Sequence, residues 1–346
     1  MVLQNVIPED KSAAVTRGLR EAFGVEEFDD IAMLTKGQSG ALVYRIIVRG
    51  SPYLLRIITR TQDPTLPQHF TCMKTAAEAG LAPHIFYTSI EDRISITDFV
   101  DAVPFPMADA LVRVPATLRT LHALPPFPRR VDHLNTSCMF LLNKGAALDG
   151  FIQTLRAANI FSESEFGELL AWHARLAEVY PRQEVDMVSS HNDLFKPDNV
   201  LFDGHRVWLV DWEAAFLNDR YADLAVFANL VVTNEAEERV YLQEYFGQTP
   251  DEYQRARYFL MQQVAHMFYG AAFLWLGSKS KPVDWNQPVP AFTDFHRRIW
   301  AGEVNLADND MKVVYGRVHW ERLLQNMRLP RFEEALKIVS DRHACA

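Results

Sequence analysis

Cysteine is scarce in this 346-residue chain, and the three present, Cys72, Cys138 and Cys345, are odd in number and far apart. No C-x-x-C pair occurs and no cysteine–histidine spacing could close a zinc site, so a disulfide scaffold and a zinc module are both excluded. Positive charge is also short. Thirty-five lysines and arginines stand against 44 aspartates and glutamates, a formal net charge of −9. That is the wrong balance for a protein built mainly to hold nucleic acid or an anionic membrane. Long apolar runs are missing too: the longest candidates, Ala225 to Val232 and Met267 to Leu276, fall short of the roughly 18 residues a spanning helix needs. The opening MVLQNVIPEDKSAAV has no basic stretch followed by an apolar one, and Glu9 and Asp10 fall where such a stretch would run, so no secretion signal is read there. Reduced thiols and a cytoplasmic location are the expectation.

What is present suits a large core. Hydrophobic residues make up 49% and aromatics 12%, and the length fits two domains or one bilobal unit. An amphipathic helix is expected near Ser12 to Phe23, followed by two β-rich runs, Ala41 to Val48 and Tyr53 to Ile58, joined by the turn Arg49-Gly50-Ser51-Pro52. A helix over Gln68 to Ala79, a Gly80-Leu81-Ala82-Pro83 break, and short strands at His84 to Ser89 and Arg93 to Phe99 complete a small first lobe. From Met107 onward the period is mostly helical, at Ala108 to Leu124, Ala147 to Ala158 and Ser164 to Val179. A β-rich interruption at Val200 to Val210 breaks that pattern, with helices again to the end. The expected fold class is therefore α+β, with a small sheet lobe over 1–98 and a larger, mainly helical lobe over 99–346.

The chemistry concentrates in one stretch, Ser190 to Glu213. Val200 to Phe202 and Arg206 to Val210 flank Asp203-Gly204, a dipeptide that supplies the positive φ of a tight hairpin. A register symmetric about that dipeptide sets Asn199 opposite Trp208 and carries Asp211 about three residues, roughly 10 Å, further. Asp211 then returns beside the loop holding Asp193 and Lys196. Such a grouping suits phosphoryl transfer, which needs hard oxygen ligands for Mg²⁺, cations for phosphate and a group that orients the attacking hydroxyl. Asn199 and Asp211 are the expected metal ligands, and Asp193 the base that takes the hydroxyl proton. Lys196 either reaches the γ-phosphate or is simply solvated.

The run from Ser190 to Glu213 resembles the catalytic and metal-binding loops of the aminoglycoside phosphotransferase and choline kinase family, within the protein-kinase-like fold. Asn218-Asp219-Arg220-Tyr221-Ala222-Asp223-Leu224-Ala225 resembles the tail of the same pattern, as Leu121-His122 and Gly80-Leu81-Ala82-Pro83 do more weakly. The resemblance implies a bilobal kinase-like enzyme using ATP and Mg²⁺ on a hydroxyl of a small molecule, an amino alcohol more readily than a bulky antibiotic. It implies that Asp223 and His191 brace the catalytic loop. Gly37, Ser39 and Gly40 in the run Lys36 to Gly40 would cover the phosphates, with Arg56, Asp98 and Val100 completing the nucleotide contacts.

Two departures stand out. Four residues, Phe195 to Asp198, separate Leu194 from Asn199, one more than the kinase pattern has, so Asp198 competes with Asn199 for the metal. Arg56 stands where kinases carry a lysine, and the helix Gln68 to Ala79 offers it no early acid. A protein kinase is disfavoured, since only eleven residues lie between Asp211 and Asp223, leaving little room for an activation segment, and no A-P-E motif appears. Core packing is the plainer account of Tyr269 and Trp275; the alternative groups them with Trp212 and Glu213 as a cage for a cationic head group. No nucleic-acid or membrane partner is expected.

Overall fold

Arg49 and Gly50, with φ of 51° and 77°, close the first hairpin as a two-residue turn whose twist matches that of its strands. Ser51 and Pro52, expected in the turn, are already strand, paired with Val48 and Ile47. Proline is tolerated there because its missing N–H points away from the hairpin partner, and the next strand reaches only Tyr53. The computed structural model describes residues 6–34, 41–60, 65–129, 153–158, 160–181, 186–279 and 283–344. By internal contacts the chain forms two compact units, Met1–Pro104 with Pro128–Asp132 and Val200–Ala215, and Phe105–Phe127 with His133–Asn199 and Phe216–Ala346. The sequence reading divides the chain once, near residue 98; the hairpin segment 200–215 groups instead with the N-terminal unit.

In the first unit, α1 (Glu9–Phe23) packs on an antiparallel sheet of β1 (Asp30–Met33), β2 (Ala41–Val48), β3 (Ser51–Ile58), β4 (Ile85–Ser89) and β5 (Ile94–Asp98), ordered β1-β2-β3-β5-β4. Ala14, Val15 and Leu19 of α1 meet Tyr44, Ile46, Leu55, Ile57, Ile94 and Ile96 in one apolar cluster. Alternate strand residues face the helix, which is the period-two pattern expected of a half-covered sheet. α2 (Leu66–Glu78) ends where Gly80 turns left-handed at φ 71°. There Leu81 N–H donates to Ala76 O at 2.9 Å, closing the helix as a Schellman motif. Cys72 of α2 is fully buried, and burial pushes its thiol up to about 12, so it is inert.

The hairpin expected from Val200 to Phe202 and Arg206 to Val210 is formed by β7 (Val200–Phe202) and β8 (Val207–Leu209), and its register differs from the expected one. Trp208 pairs with Leu201 rather than Asn199, so the loop has four residues. Asp203 is the reason. Its carboxylate accepts from the N–H groups of His205 and Arg206 and from Trp208 Nε1, each at 2.8 Å. The Arg206 N–H first, with Trp208 and His205 adding to it, holds that carboxyl down at about 2. Leu209 N–H donates to Leu81 O and Val103 N–H to Phe202 O, both at 2.8 Å, which ties the hairpin to the N-terminal unit.

The second unit is helical: α3 (Met107–His122), α4 (Glu163–Val179), α5 (Arg220–Val231), α6 (Glu235–Phe246), α7 (Glu252–Ser278), α8 (Phe292–Trp300), α9 (Asn309–Met327) and α10 (Pro330–Ala344). Two four-residue strands, β6 (Met187–Ser190) and β9 (Phe216–Asp219), pair antiparallel within it. α7 starts at a capping box, in which Asp251 Oδ1 accepts from Gln254 N–H while Gln254 Oε1 accepts from Asp251 N–H. None of the described helices is long and apolar enough to cross a membrane.

α7 and α9 cross at glycines. A Cβ on Gly316 would sit 2.7 Å from Leu274 N and 2.9 Å from Gly270 O, and one on Gly277 would sit 2.7 Å from Asn309 O. These are backbone atoms, which cannot swing aside as a side chain would. Gly316→Ala is therefore expected to lower unfolding stability by about 1–3 kcal/mol, despite the roughly 1 kcal/mol that alanine gains in helix propensity. A urea unfolding midpoint equal to or above that of the parent chain would contradict the crossing.

Candidate active site

In the helical unit the loop 191–199 follows β6 and is gripped from below. Asp223, in the first turn of α5, accepts from the N–H groups of His191 at 2.8 Å and Asn192 at 2.7 Å. Its Oδ2 also lies 3.3 Å from His122 Nε2, whose other ring nitrogen is 2.7 Å from the Tyr245 hydroxyl. Burial alone would push the Asp223 carboxyl up, but the His122 bond, both histidine rings and the backbone donor hold it below the ordinary value. Asn192 takes a left-handed φ of 66° and bonds across to Asn218, whose Nδ2 donates to its Oδ1 at 2.5 Å. The loop emerging from this anchorage has a fixed direction.

That loop brings together three of the residues singled out in the sequence. Asn199 is buried, and its Nδ2 donates to Asp193 Oδ2 at 2.8 Å and to the Asp193 carbonyl at 2.6 Å. With Nδ2 committed twice, Oδ1 points the other way, the orientation a metal-ligating amide oxygen needs. Asp198 is exposed on the same 3-10 turn, Pro197–Asn199. Lys196 Nζ stands 3.8 Å from Asp193 Oδ2. Phe195, the additional residue of the loop, packs ring against ring with Tyr269 at 5.4 Å and Tyr315 at 6.3 Å, both tilted, and edge-on with Phe273 at 5.6 Å. The Asp193 charge also reaches the Tyr315 phenol, adding to the burial that raises its pKa. The lengthened loop is therefore seated on aromatic side chains of α7 and α9.

In the sheet unit Arg56 lies on the central strand β3, opposite Val43 on one side and Ser95 on the other. Both Nη atoms approach Asp211 Oδ1 at 3.1 Å, and Nη2 also contacts Glu213 Oε1. Glu213 Oε2 accepts from Arg60 at 2.6 Å. Asp211 has a left-handed φ of 68°, an uncommon state for a residue other than glycine that turns the chain sharply after β8. Asp98 ends β5, and its N–H donates to His84 O at 2.9 Å; Val100 follows, with its carbonyl accepting from Ala102 N–H at 3.0 Å. Gly37, Ser39 and Gly40 lie outside the described residues.

Core packing, the plainer expectation for Tyr269 and Trp275, holds for Tyr269 and not for Trp275, and the side chains of the alternative cage differ in exposure. Trp212 is only 1% exposed, with its Nε1 donating to Leu209 O at 3.1 Å. Tyr269 is 4% exposed, whereas Trp275, six residues on along α7, is 41% exposed. Six helical residues amount to roughly 120° of rotation, so those two rings are on different faces. Glu213 is already paired with two guanidinium groups. Arg60 and Gln68, which the sequence reading passed over, take part in the Glu213 cluster. Arg60 carried a usable signal, because it lies four residues after Arg56 and so on the same side of an extended chain.

Within the sheet unit, Asp211 offers a carboxylate of the kind a hard divalent cation takes and Arg56 a guanidinium suited to phosphate; within the helical unit, Asn199 Oδ1 is an amide oxygen of the same hard type. Among the described residues no cluster of three or more histidine, cysteine or acidic side chains forms a self-contained metal site.

A comparison with curated protein sequences gave no match. Among solved structures, a choline/ethanolamine kinase family protein from Mesorhizobium loti superposes with a TM-score of 0.68 at 17% identity, covering 95% of this chain and 99% of that one. Choline kinase from Cryptosporidium parvum gives 0.62 at 13% identity, covering 94% and 97%. A spectinomycin phosphotransferase solved with ADP and spectinomycin gives 0.54 at 11% identity, with the same coverage of 94% and 97%. These likenesses establish the protein-kinase-like α+β fold that the motifs imply. The model of the phosphotransferase enzyme family matches residues 30–259, more than half of the chain and every loop described above, and the chain belongs to that family.

Proposed function

We propose that this protein transfers the γ-phosphate of ATP to a hydroxyl of a small molecule, with an amino alcohol of the choline or ethanolamine kind as the acceptor. The observation that carries this reading is the Asp193–Asn199 pair. An amide that orients the carboxylate through Nδ2 and offers Oδ1 elsewhere supports Asp193 as the base and Asn199, rather than exposed Asp198, as a metal ligand. Asp211 is the second ligand; bound there, Mg²⁺ would offset phosphate charge as the bond to the leaving oxygen breaks. Asp193 accepts a hydrogen bond from the acceptor hydroxyl and takes its proton. Lys196, close to that carboxylate, supplies positive charge at the same loop. Asp223 and His191 keep the loop in place without touching substrate.

The acceptor class rests on what surrounds Asp193 in the helical unit. Phe195 and Phe273, partly exposed over the buried rings of Tyr269 and Tyr315, give an aromatic patch, which attracts a cationic ammonium through ring quadrupoles. Glu213 is engaged by Arg56 and Arg60. The net charge of −9 suits a cation as well. The test is ADP release with Mg²⁺ and ATP over a panel of amino alcohols, aminoglycosides, macrolides, homoserine and sugars. Turnover of amino alcohols alone is the expected result. Turnover of an antibiotic instead would keep the enzyme class and overturn the acceptor, and silence with bound nucleotide would make the chain a binding protein without turnover.

A further inference from the structure

Kinase-like enzymes hold the phosphate-binding cation of the sheet with an acid from the neighbouring helix. α2, sequence LPQHFTCMKTAAE, has no acid before Glu78 at its very end. We propose that Glu213 is the positioning residue of the nucleotide-phosphate clamp: it fixes the guanidinium of Arg56, and α2 holds the turn that carries Glu213 instead of supplying an acid itself. The proposal rests on the phosphotransferase reading above.

Three observations carry it. Arg56 Nε is buried with no hydrogen-bond partner among the described residues, so the guanidinium is aimed by its Nη atoms alone, and these meet only Asp211 and Glu213. The Glu213 turn is itself fixed at both ends. Trp212 is bonded to Leu209 O, and Ala215 O accepts from Gln68 Nε2 at 2.9 Å and Cys72 Sγ at 3.6 Å. Gln68 lies in the first turn of α2, so helix and clamp are joined through backbone rather than through an ion pair. Finally, the two acids have different duties. Asp211 is the metal ligand, so Glu213 is the one carboxylate that can stay with Arg56 once a divalent cation arrives. Without it, Arg56 would rest on Asp211 alone and compete with the cation.

The test uses the full chain and two probes, MgADP and adenosine, which share a base but not phosphates. Glu213→Gln is expected to weaken MgADP binding about tenfold in calorimetry, the scale of one charge-assisted contact, and to raise the Mg²⁺ needed for half-saturation. Adenosine affinity, read by ligand-observed NMR, should be unchanged, and Glu213→Asp should recover part of the loss. Arg56→Ala should show the same loss, with no further loss in the double variant, because the two side chains act as one unit. Unchanged MgADP affinity in Glu213→Gln would overturn the assignment. Equal weakening of both probes would overturn it too, by showing that Glu213 only holds the fold. A parent chain that binds neither probe would overturn the phosphotransferase reading itself, and is seen before any variant is made.

Discussion

Asp193→Asn is expected to lower turnover by about 10²–10⁴-fold while leaving MgADP affinity within error of the parent chain, because the substitution removes a proton acceptor and little else. The side chains have the same shape. Asn199 Nδ2 still has the residue 193 carbonyl at 2.6 Å to hold it, and the Asp223 grip on His191 and Asn192 is untouched. A structural role would instead show as a lower melting temperature and a loss of nucleotide. The discriminating pair of measurements is ADP release at saturating acceptor and calorimetric titration with MgADP. A variant that keeps more than about a tenth of parental turnover would remove Asp193 from the base role.

That expectation could be framed from sequence because the elements around Asp193 are local. A loop, a hairpin and a helix start within Ser190 to Ala225 place their residues by short-range rules of turn, cap and alternation. The β2–β3 hairpin was readable for the same reason, down to one shift: Arg49-Gly50 alone makes the turn. What stayed hidden is non-local. Strands β6 and β9 are four residues each and pair across the whole 200–215 segment, too short to show a period. The partners of Arg56 lie 155 and 157 residues away, and nothing in α2 points to them. The hairpin register departs from one symmetric about Asp203-Gly204 because Asp203 caps a longer loop with its side chain. α7 is apolar on nearly all sides, so its 27 residues carried no stripe from which to read its ends.

The same lack of pattern concealed a feature that dominates the expected acid response. His266 of α7, His296 of α8 and His319 of α9 meet in the interior of the helical unit, with His319 5.1 Å ring to ring from each of the other two. His266 Nδ1 and His319 Nδ1 are 3.0 Å apart, a distance at which one nitrogen must donate and the other accept, so at least one ring of the pair is neutral. Burial first, then the charges of Arg322 and His296, puts His266 well below the ordinary value; burial, His266 and His296 do so for His319. His296 is lowered to about 4, again by burial first, against the opposing bond to Phe292 O. Arg322 is the cation that faces this cluster, acting on His266 and His296, and Tyr315 beside His319 is raised by burial and stays neutral in this range.

The consequence for stability has a definite sign. All three histidines have folded pKa values below the unfolded value of about 6.5, so between pH 6.5 and 4 the unfolded chain binds more protons than the folded one. Their contribution is complete above pH 6.5 and is lost as pH falls. Asp219 works the other way: burial raises it to about 6 despite its bond to Arg257, so over the same window the folded chain binds one proton more at that site. The net near pH 5 is about two protons, a loss of roughly 3 kcal/mol for each unit of acidification, enough to unfold a domain of ordinary stability within two or three units. Urea unfolding at pH 7.5, 6.5, 5.5 and 4.5 should show the midpoint nearly level over the first step and falling steeply thereafter. A level midpoint down to pH 4.5 would mean that the cluster accepts protons without opening. The steep fall would show instead that α7, α8 and α9 stay packed beneath Phe195 and the loop that carries it only while these three rings are uncharged.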